Sequence, residues 1–278
     1  MPDKKTLAAV LDDSSTSADG ISIRLVNARL KASPLDEFPG ELPQTLREAY
    51  DIQSLSINRW PDAVSGWKVG GVPDAFREQY AAERLSGPIF ASATRSVSEG
   101  GETGMSVFDG GFAAIEAEFV IRTAASIEPG DVISGASLEE YIASVHIGAE
   151  IASSPIADIN RIGPGCIVPD FGNNAGLVVG PAVRDWQVRR SEAVTVTVHV
   201  DGLLAGQSNS AMDDSVLTAF RFLVDLCAER QQTLPEGTLV SCGALSGIHE
   251  LRAGATATVT FEGIGSFAVA FTKKQPAV

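Results

Sequence analysis

Ala114-Ile115-Glu116-Ala117-Glu118-Phe119-Val120-Ile121 alternates two acids with small and apolar residues, the period of a β-strand. Side chains alternate across a strand, so Glu116 and Glu118 share one face while Ile115, Ala117, Phe119 and Ile121 share the other. Two carboxylates about 6–7 Å apart on one face repel each other unless solvent or a cation neutralises them. A half-buried strand with one wet face shows the same pattern. A third acid, Glu150, stands in a second alternating segment, Val145-His146-Ile147-Gly148-Ala149-Glu150-Ile151-Ala152. Three converging carboxylates would suit Mg²⁺ or Mn²⁺, which prefer oxygen ligands and keep several waters.

Outward from these segments the chain divides by texture. Ile21 to Leu35 and Leu42 to Trp60 carry apolar residues at 3–4 spacing, separated by Pro39-Gly40, and predict a small helical N-terminal region. From Trp67 onward, short Val/Ile/Phe runs punctuated by Gly and Pro predict strands and turns. Ala193 to Val200, followed by Asp201-Gly202, predicts a strand entering a hairpin turn. Thr238 to Ser241, then Ala255 to Phe261 and Ser266 to Phe271 around Glu262-Gly263-Ile264-Gly265, predict further strands. One helix interrupts them: Val216, Leu217, Phe220, Leu223, Val224 and Cys227 recur at helical spacing after Asp213-Asp214-Ser215 and stop before Pro235. The Ser/Asp-rich stretch around position 15 is expected to be disordered.

With 278 residues and 44% hydrophobic content, the chain can bury a full core. A formal net charge of −14 without a Lys/Arg cluster argues against nucleic acid or an anionic membrane as partner. No apolar run approaches the ~18 residues a bilayer span needs, and Met1-Pro2-Asp3-Lys4-Lys5-Thr6 leads into no apolar signal core. A cytoplasmic location is expected. Cys166, Cys227 and Cys242 are odd in number and widely spaced, so neither a disulfide framework nor a structural zinc site is indicated. Gly70-Gly71 belongs to no dinucleotide fingerprint, and no phosphate loop is present.

Several segments resemble, in order, the 2-keto-4-pentenoate hydratase group of the fumarylacetoacetate hydrolase superfamily. They are Ala49-Tyr50-Asp51-Ile52-Gln53, Gly66-Trp67-Lys68-Val69-Gly70, the Glu116-x-Glu118 strand, Glu150, Asp170 followed by Gly180, and Leu234-Pro235-Glu236-Gly237-Thr238 running to Gly243 and Gly247. The stretch covered runs from about residue 45 to 271, and Lys68 with the Glu-x-Glu strand is its most specific combination. The resemblance implies an α+β fold: a mainly antiparallel β body of that superfamily's C-terminal type, residues 66–278, behind a helical region, residues 1–65. It further implies that Glu116, Glu118 and Glu150 hold one Mg²⁺ or Mn²⁺, that Lys68 faces a bound 2-oxo acid, and that Asp170, Asn173, Cys242 and Gly243 line the substrate cleft. A homo-oligomer is implied as well.

The implied activity is addition of water to a 2-hydroxy-2,4-dienoate, giving a 4-hydroxy-2-oxo acid. Three alternatives remain: a 4-oxalocrotonate-type decarboxylase, an acylpyruvate C–C hydrolase, and a non-catalytic metal-binding relative. A lysine flanked by glycines also reads as a surface residue in a turn, and Asp170 before Phe171-Gly172-Asn173-Asn174 also reads as a turn-former. The chain departs from the family pattern at Asn173, Asn174 and Cys242, where small hydroxyl residues are usual, and in Gly70-Gly71-Val72-Pro73. A second substrate carboxylate would need a cation, for which Lys68, Arg95, Arg122 and Arg161 lie near the relevant segments. His146 lies four residues before Glu150, about 13 Å along a strand, and His199 and His249 receive no role.

Overall fold

The computed structural model describes residues 17–131 and 135–277, and within them every side chain except those of residues 135–137, 213 and 214. The stretch around position 15 therefore lies outside the described residues. The chain opens on α1 (Ala18–Lys31) and α2 (Leu46–Arg59). Each starts where a side chain satisfies a free backbone donor: Ser17 Oγ accepts from Gly20 N, and Thr45 and Glu48 form a reciprocal capping box. Both helices match the predicted N-terminal pair to within a few residues.

The strands follow as β1 (Val64–Gly71), β2 (Arg84–Phe90), β3 (Thr94–Ser96), β4 (Glu102–Val107), β5 (Phe112–Thr123), β6 (Ile142–Ser154), β7 (Asn174–Ala182), β8 (Val194–Val200), β9 (Leu203–Ser210), β10 (Leu239–Ser241), β11 (His249–Glu250), β12 (Thr256–Phe261) and β13 (Gly265–Lys273). Five further helices join them: α3 (Asp74–Tyr80), the single turns α4 (Ile159–Ile162), α5 (Pro164–Ile167) and α6 (Trp186–Arg189), and α7 (Thr218–Glu229), which a π-turn over Asp213–Leu217 introduces. Among the described residues no helix is long and apolar enough to cross a membrane.

Two sheets result. The larger runs β2-β1-β10-β5-β6-β7-β3, with β11 on the open end of β5, and the smaller runs β4-β13-β12-β8-β9. Most neighbours are antiparallel; β1 with β10, β3 with β7 and β4 with β13 are parallel. The architecture is thus α+β and mostly sheet, as expected, although mixed in strand direction.

The two faces of β5 meet different surroundings. Ile115, Ala117, Phe119 and Ile121 enter the main core beside Phe261 of β12, Phe267 of β13 and Phe220 and Leu223 of α7, and the rings of Phe119 and Phe261 stand 5.3 Å apart. Full burial of each large side chain is worth roughly 1.5–3 kcal/mol, so this face anchors the strand. On the other face, Phe112 and Ala114 pack with Ile21 and Leu25 of α1 and Tyr50 of α2, while Val120 packs with Ile89, Leu177 and Leu239. Glu116 and Glu118 occupy the interval between those two apolar clusters. The strand has no wet face; both acids are buried.

Candidate active site

Strand register brings the acids together. In the β5–β6 ladder Glu116 stands directly opposite Glu150, and Glu118 opposite Gly148. Directly opposed residues have Cβ atoms about 4.5–5.5 Å apart, and like charges so placed repel. One carboxylate oxygen from each of Glu116, Glu118 and Glu150 lies within 4.8 Å of the others.

On the same sheet, Lys68 of β1 pairs in register with Ser241 of β10, which pairs with Val120 of β5. Its ammonium stands 3.5 Å from Glu150 Oε2. Burial by itself would discharge that amine, but the fields of Glu150, Glu116 and Glu118 outweigh it and hold Lys68 above its ordinary value as a cation. Burial first, then the neighbouring Glu150 charge, push Glu116 up to about 8, with Lys68 opposing; the same two causes, joined by the Glu116 charge, push Glu118 well above the carboxylate range.

Glu118 and Glu150 are each held by hydrogen bonds that leave an oxygen over. Glu118 Oε2 accepts from Ser241 Oγ and from the Gly243 amide at 2.9 Å, while its Oε1 is buried without a hydrogen-bond partner. Glu150 Oε1 accepts from Asn174 Nδ2 at 3.0 Å, while its Oε2 is buried without a hydrogen bond, 3.5 Å from the Lys68 ammonium. Orphaned buried oxygens are costly, and this cluster holds two. Three ionised carboxylates and one ammonium leave two negative charges, the complement of a divalent ion. The all-oxygen donor set, the burial and the spare oxygens fit Mg²⁺ or Mn²⁺.

A cavity of about 580 Å³ opens on this cluster, lined by Lys68, Arg84, Glu116, Asn160, Asn173, Asn209, Ser210, Ser215, Cys242 and Gly243 among others. Of the residues the sequence singled out, Lys68, Asn173, Cys242 and Gly243 meet the cavity. Asp170 does not line it. Its carboxylate is bound by the Arg29 guanidinium, with Nη2 at 2.9 Å from Oδ2, and Arg29 also donates to the carbonyls of Asp170, Ser153 and Asn174. Asp170 thus anchors the loop that carries Asn173, a task for which its partner, 141 positions away, left no local sign.

That loop sits close because two glycines permit it. A Cβ on Gly87, the register partner of Lys68, would stand 2.2 Å from Phe171 O, and one on Gly172 would meet the Gly87 backbone and the Lys68 stem. Phe171, Gly172 and Asn173 all take positive φ, a conformation that the Trp60, Phe90 and Phe171 ring cluster and the Arg29 clamp hold in place. Asn173 Nδ2 donates to Asn160 Oδ1, leaving its own buried Oδ1 unpaired at the cavity.

Ser241 as a carboxylate partner and Arg84 as a cavity residue carry no local sequence signal, and Asn174, although it stands in the stretch that departs from the family pattern, shows its bond to Glu150 only in the fold. The cations named from the sequence do not meet the cavity apart from Lys68: Arg95 borders another hollow, Arg122 donates to Gly237 O at the surface, and Arg161 pairs with Asp158. His146 is bonded to Ser144 and Gly180 O, His249 to Ser246, and His199 belongs to the smaller sheet; none lines the cavity.

No family model and no curated protein matches the chain. Solved structures do. It is similar to 4-oxalocrotonate decarboxylase from Pseudomonas putida G7, solved with magnesium and adipate, at 22% identity over 91% of this chain and 97% of that one, with a TM-score of 0.73. Fumarylpyruvate hydrolase from Pseudomonas aeruginosa, solved with Mn²⁺ and pyruvate, follows at 17% over 75% and 89%, with a TM-score of 0.56. 2-Hydroxyhepta-2,4-diene-1,7-dioate isomerase from Mycobacterium marinum matches at 18% over 77% of each chain, with a TM-score of 0.54. The chain has the fumarylacetoacetate hydrolase fold. At these identities the likeness concerns the fold alone.

Proposed function

We propose that this protein is a divalent-metal-dependent lyase acting on a small 2-oxo acid, with hydration of a 2-hydroxy-2,4-dienoate to a 4-hydroxy-2-oxo acid as its reaction. The observation that carries the reading is the buried Glu116, Glu118 and Glu150 cluster beside the Lys68 ammonium, which one cavity reaches through Glu116 and Lys68. Glu116, Glu118 and Glu150 would hold the ion, which when bound supplies Lewis-acid polarisation of a 2-keto group.

The chain's own groups do the rest. Lys68 presents a fixed positive charge to the carboxylate or enolate of the acid and, as a hydrogen-bond donor, can return a proton to carbon. Asn160, Asn173, Asn209, Ser210 and Ser215 give the wall donors and acceptors that hold and orient a water, and the unpaired Asn173 Oδ1 is one such acceptor. Gly243 and Ser241 keep Glu118 oriented, and Asn174 does so for Glu150.

A second reading is decarboxylation of a 2-oxo diacid; it is supported by the likeness to 4-oxalocrotonate decarboxylase across 91% of the chain. One assay separates them. The ultraviolet absorbance of 2-hydroxypenta-2,4-dienoate is followed with Mg²⁺ or Mn²⁺, with chelator, and with the Glu116→Ala/Glu118→Ala variant, and products are weighed by mass spectrometry. Metal-dependent gain of one water supports hydration. Release of CO₂ from 2-oxohex-3-enedioate, with the dienoate untouched, replaces hydration by the second reading, and inertness toward both removes the proposal.

A further inference from the structure

Two cationic side chains line the cavity among the described residues, Lys68 and Arg84, and only Lys68 is committed to the acid cluster. Arg84 opens β2, where its backbone pairs with Gly71 of β1. The residue is half-buried, and its guanidinium makes no hydrogen bond or ion pair among the described residues. The adjacent acid, Glu83, is taken by Arg77 at 3.2 Å. Arg84 also borders a second hollow, but there Arg230 already stacks on Tyr50 and donates to Ser54.

Position adds to the argument. A Cβ built on Gly243 would lie 4.0 Å from Arg84 Nη1, and the Gly243 amide donates to Glu118 Oε2 at 2.9 Å. With ordinary bond lengths, these contacts put the guanidinium within about 10 Å of the Glu118 carboxylate, a reach that an acid of about five or six carbons spans. A guanidinium offers a planar fork of donors matched to a carboxylate, and one at a cavity wall without a protein partner leaves that fork for a ligand's acceptor.

We infer that Arg84 receives a second, remote carboxylate, so that a 2-oxo diacid or its dienol is bound in preference to the corresponding monoacid. The inference rests on the 2-oxo acid reading of the site. A guanidinium stabilises the anion it binds, so the remote carboxylate serves as a handle that sets the orientation of the carbon chain along the Asn173 wall. Arg84 is then a specificity-determining residue, distinct in role from Lys68 at the other end.

The test is calorimetric titration of the Mg²⁺-loaded protein with 2-oxoadipate and 2-oxohexanoate, which share six carbons and a 2-oxo acid head and differ in the remote carboxylate. The wild type is expected to bind the diacid about tenfold or more tightly than the monoacid, the scale of one charge-assisted hydrogen-bonded pair. Arg84→Gln should bring that ratio to about one, while Arg84→Lys, which keeps the charge without the fork, should retain part of it. Circular dichroism of both variants reports retained folding. A wild type without preference, or a ratio unchanged in Arg84→Gln, overturns the role of Arg84 and leaves the 2-oxo acid reading standing. Binding of neither acid by the wild type overturns both.

Discussion

Lys68 admits two readings from sequence, a surface lysine in a turn and a cation beside a metal site, and its surroundings separate them. Between Gly66 and Gly70 it resembles a turn lysine, yet it is 6% exposed on a central strand and faces three carboxylates. Replacing it with Met removes the cation while leaving every carboxylate oxygen in place. Turnover of the accepted 2-oxo acid should fall by at least about a hundredfold, as for loss of a group acting in proton transfer or charge stabilisation. Mn²⁺ binding, read by electron paramagnetic resonance, should persist, because the ammonium opposes the ion's charge instead of ligating it. Loss of metal binding in step with activity would falsify the separate roles. The acids were legible because Glu-x-Glu in an apolar strand is a local pattern, and Glu150 because it sits in a similar one. Asp170 was legible as an acid before a turn and, by resemblance, as a residue of the substrate cleft, which it does not line. Its bond to Arg29 spans 141 positions, and no local spacing encodes such a partner. Breaking that buried pair from one side, with Asp170→Ala, should cost about 3–5 kcal/mol in denaturant unfolding, since it strands the guanidinium of Arg29. A cost under about 1 kcal/mol would mean that the loop is held by the Phe171 ring cluster alone.

At the scale of elements, hairpins and amphipathic helices were the readable parts. Asp201-Gly202, both at positive φ, makes the two-residue turn between β8 and β9, and Phe220, Leu223, Val224 and Cys227 form the buried stripe of α7. Parallel contacts were not readable, because β1 meets β10 some 170 residues later and neither strand's own pattern names the other. Strand β2 hid behind Pro88, which a ladder tolerates here because β2 is the edge of its sheet. Its Gly87 is where the element acts on the site. The missing side chain lets the Asp170–Asn174 loop rest against β2 and place Asn173 at the cavity. Gly87→Ala should therefore force the Phe171 carbonyl away, lowering stability by roughly 1–3 kcal/mol as overpacking does. Turnover should fall further than stability alone explains, measured at a temperature where the variant remains folded. Full activity in the Gly87→Ala variant would show that the loop's approach does not set the site.

Across the whole molecule, the cluster ties folding to pH and to metal. In the folded protein Glu116 is held at about 8 against an ordinary 4.5, so between those values the folded state keeps a proton that the unfolded chain has released. Its contribution to stability is complete below the ordinary value and is lost as pH rises through the folded one. Glu118, raised by the same causes, acts in the same direction. The chelator-treated protein should accordingly melt at a lower temperature at pH 8 than at pH 5.5. This is the reverse of the behaviour of salt-bridged surface acids. A divalent ion reverses the trend, because ligating carboxylates must be ionised: binding releases protons, and affinity should increase over the same pH window. At a hundred times its dissociation constant the ion adds about 2.7 kcal/mol, so the gain in melting temperature on adding Mg²⁺ or Mn²⁺ should widen from pH 5.5 to pH 8. Differential scanning calorimetry with and without chelator reads both slopes. Glu118→Gln, which keeps the volume and removes one buried charge, should flatten the metal-free slope and abolish most of the metal's stabilisation. A metal-induced shift that stays constant across the window, or survives in Glu118→Gln, would place the ion's binding site away from the three carboxylates.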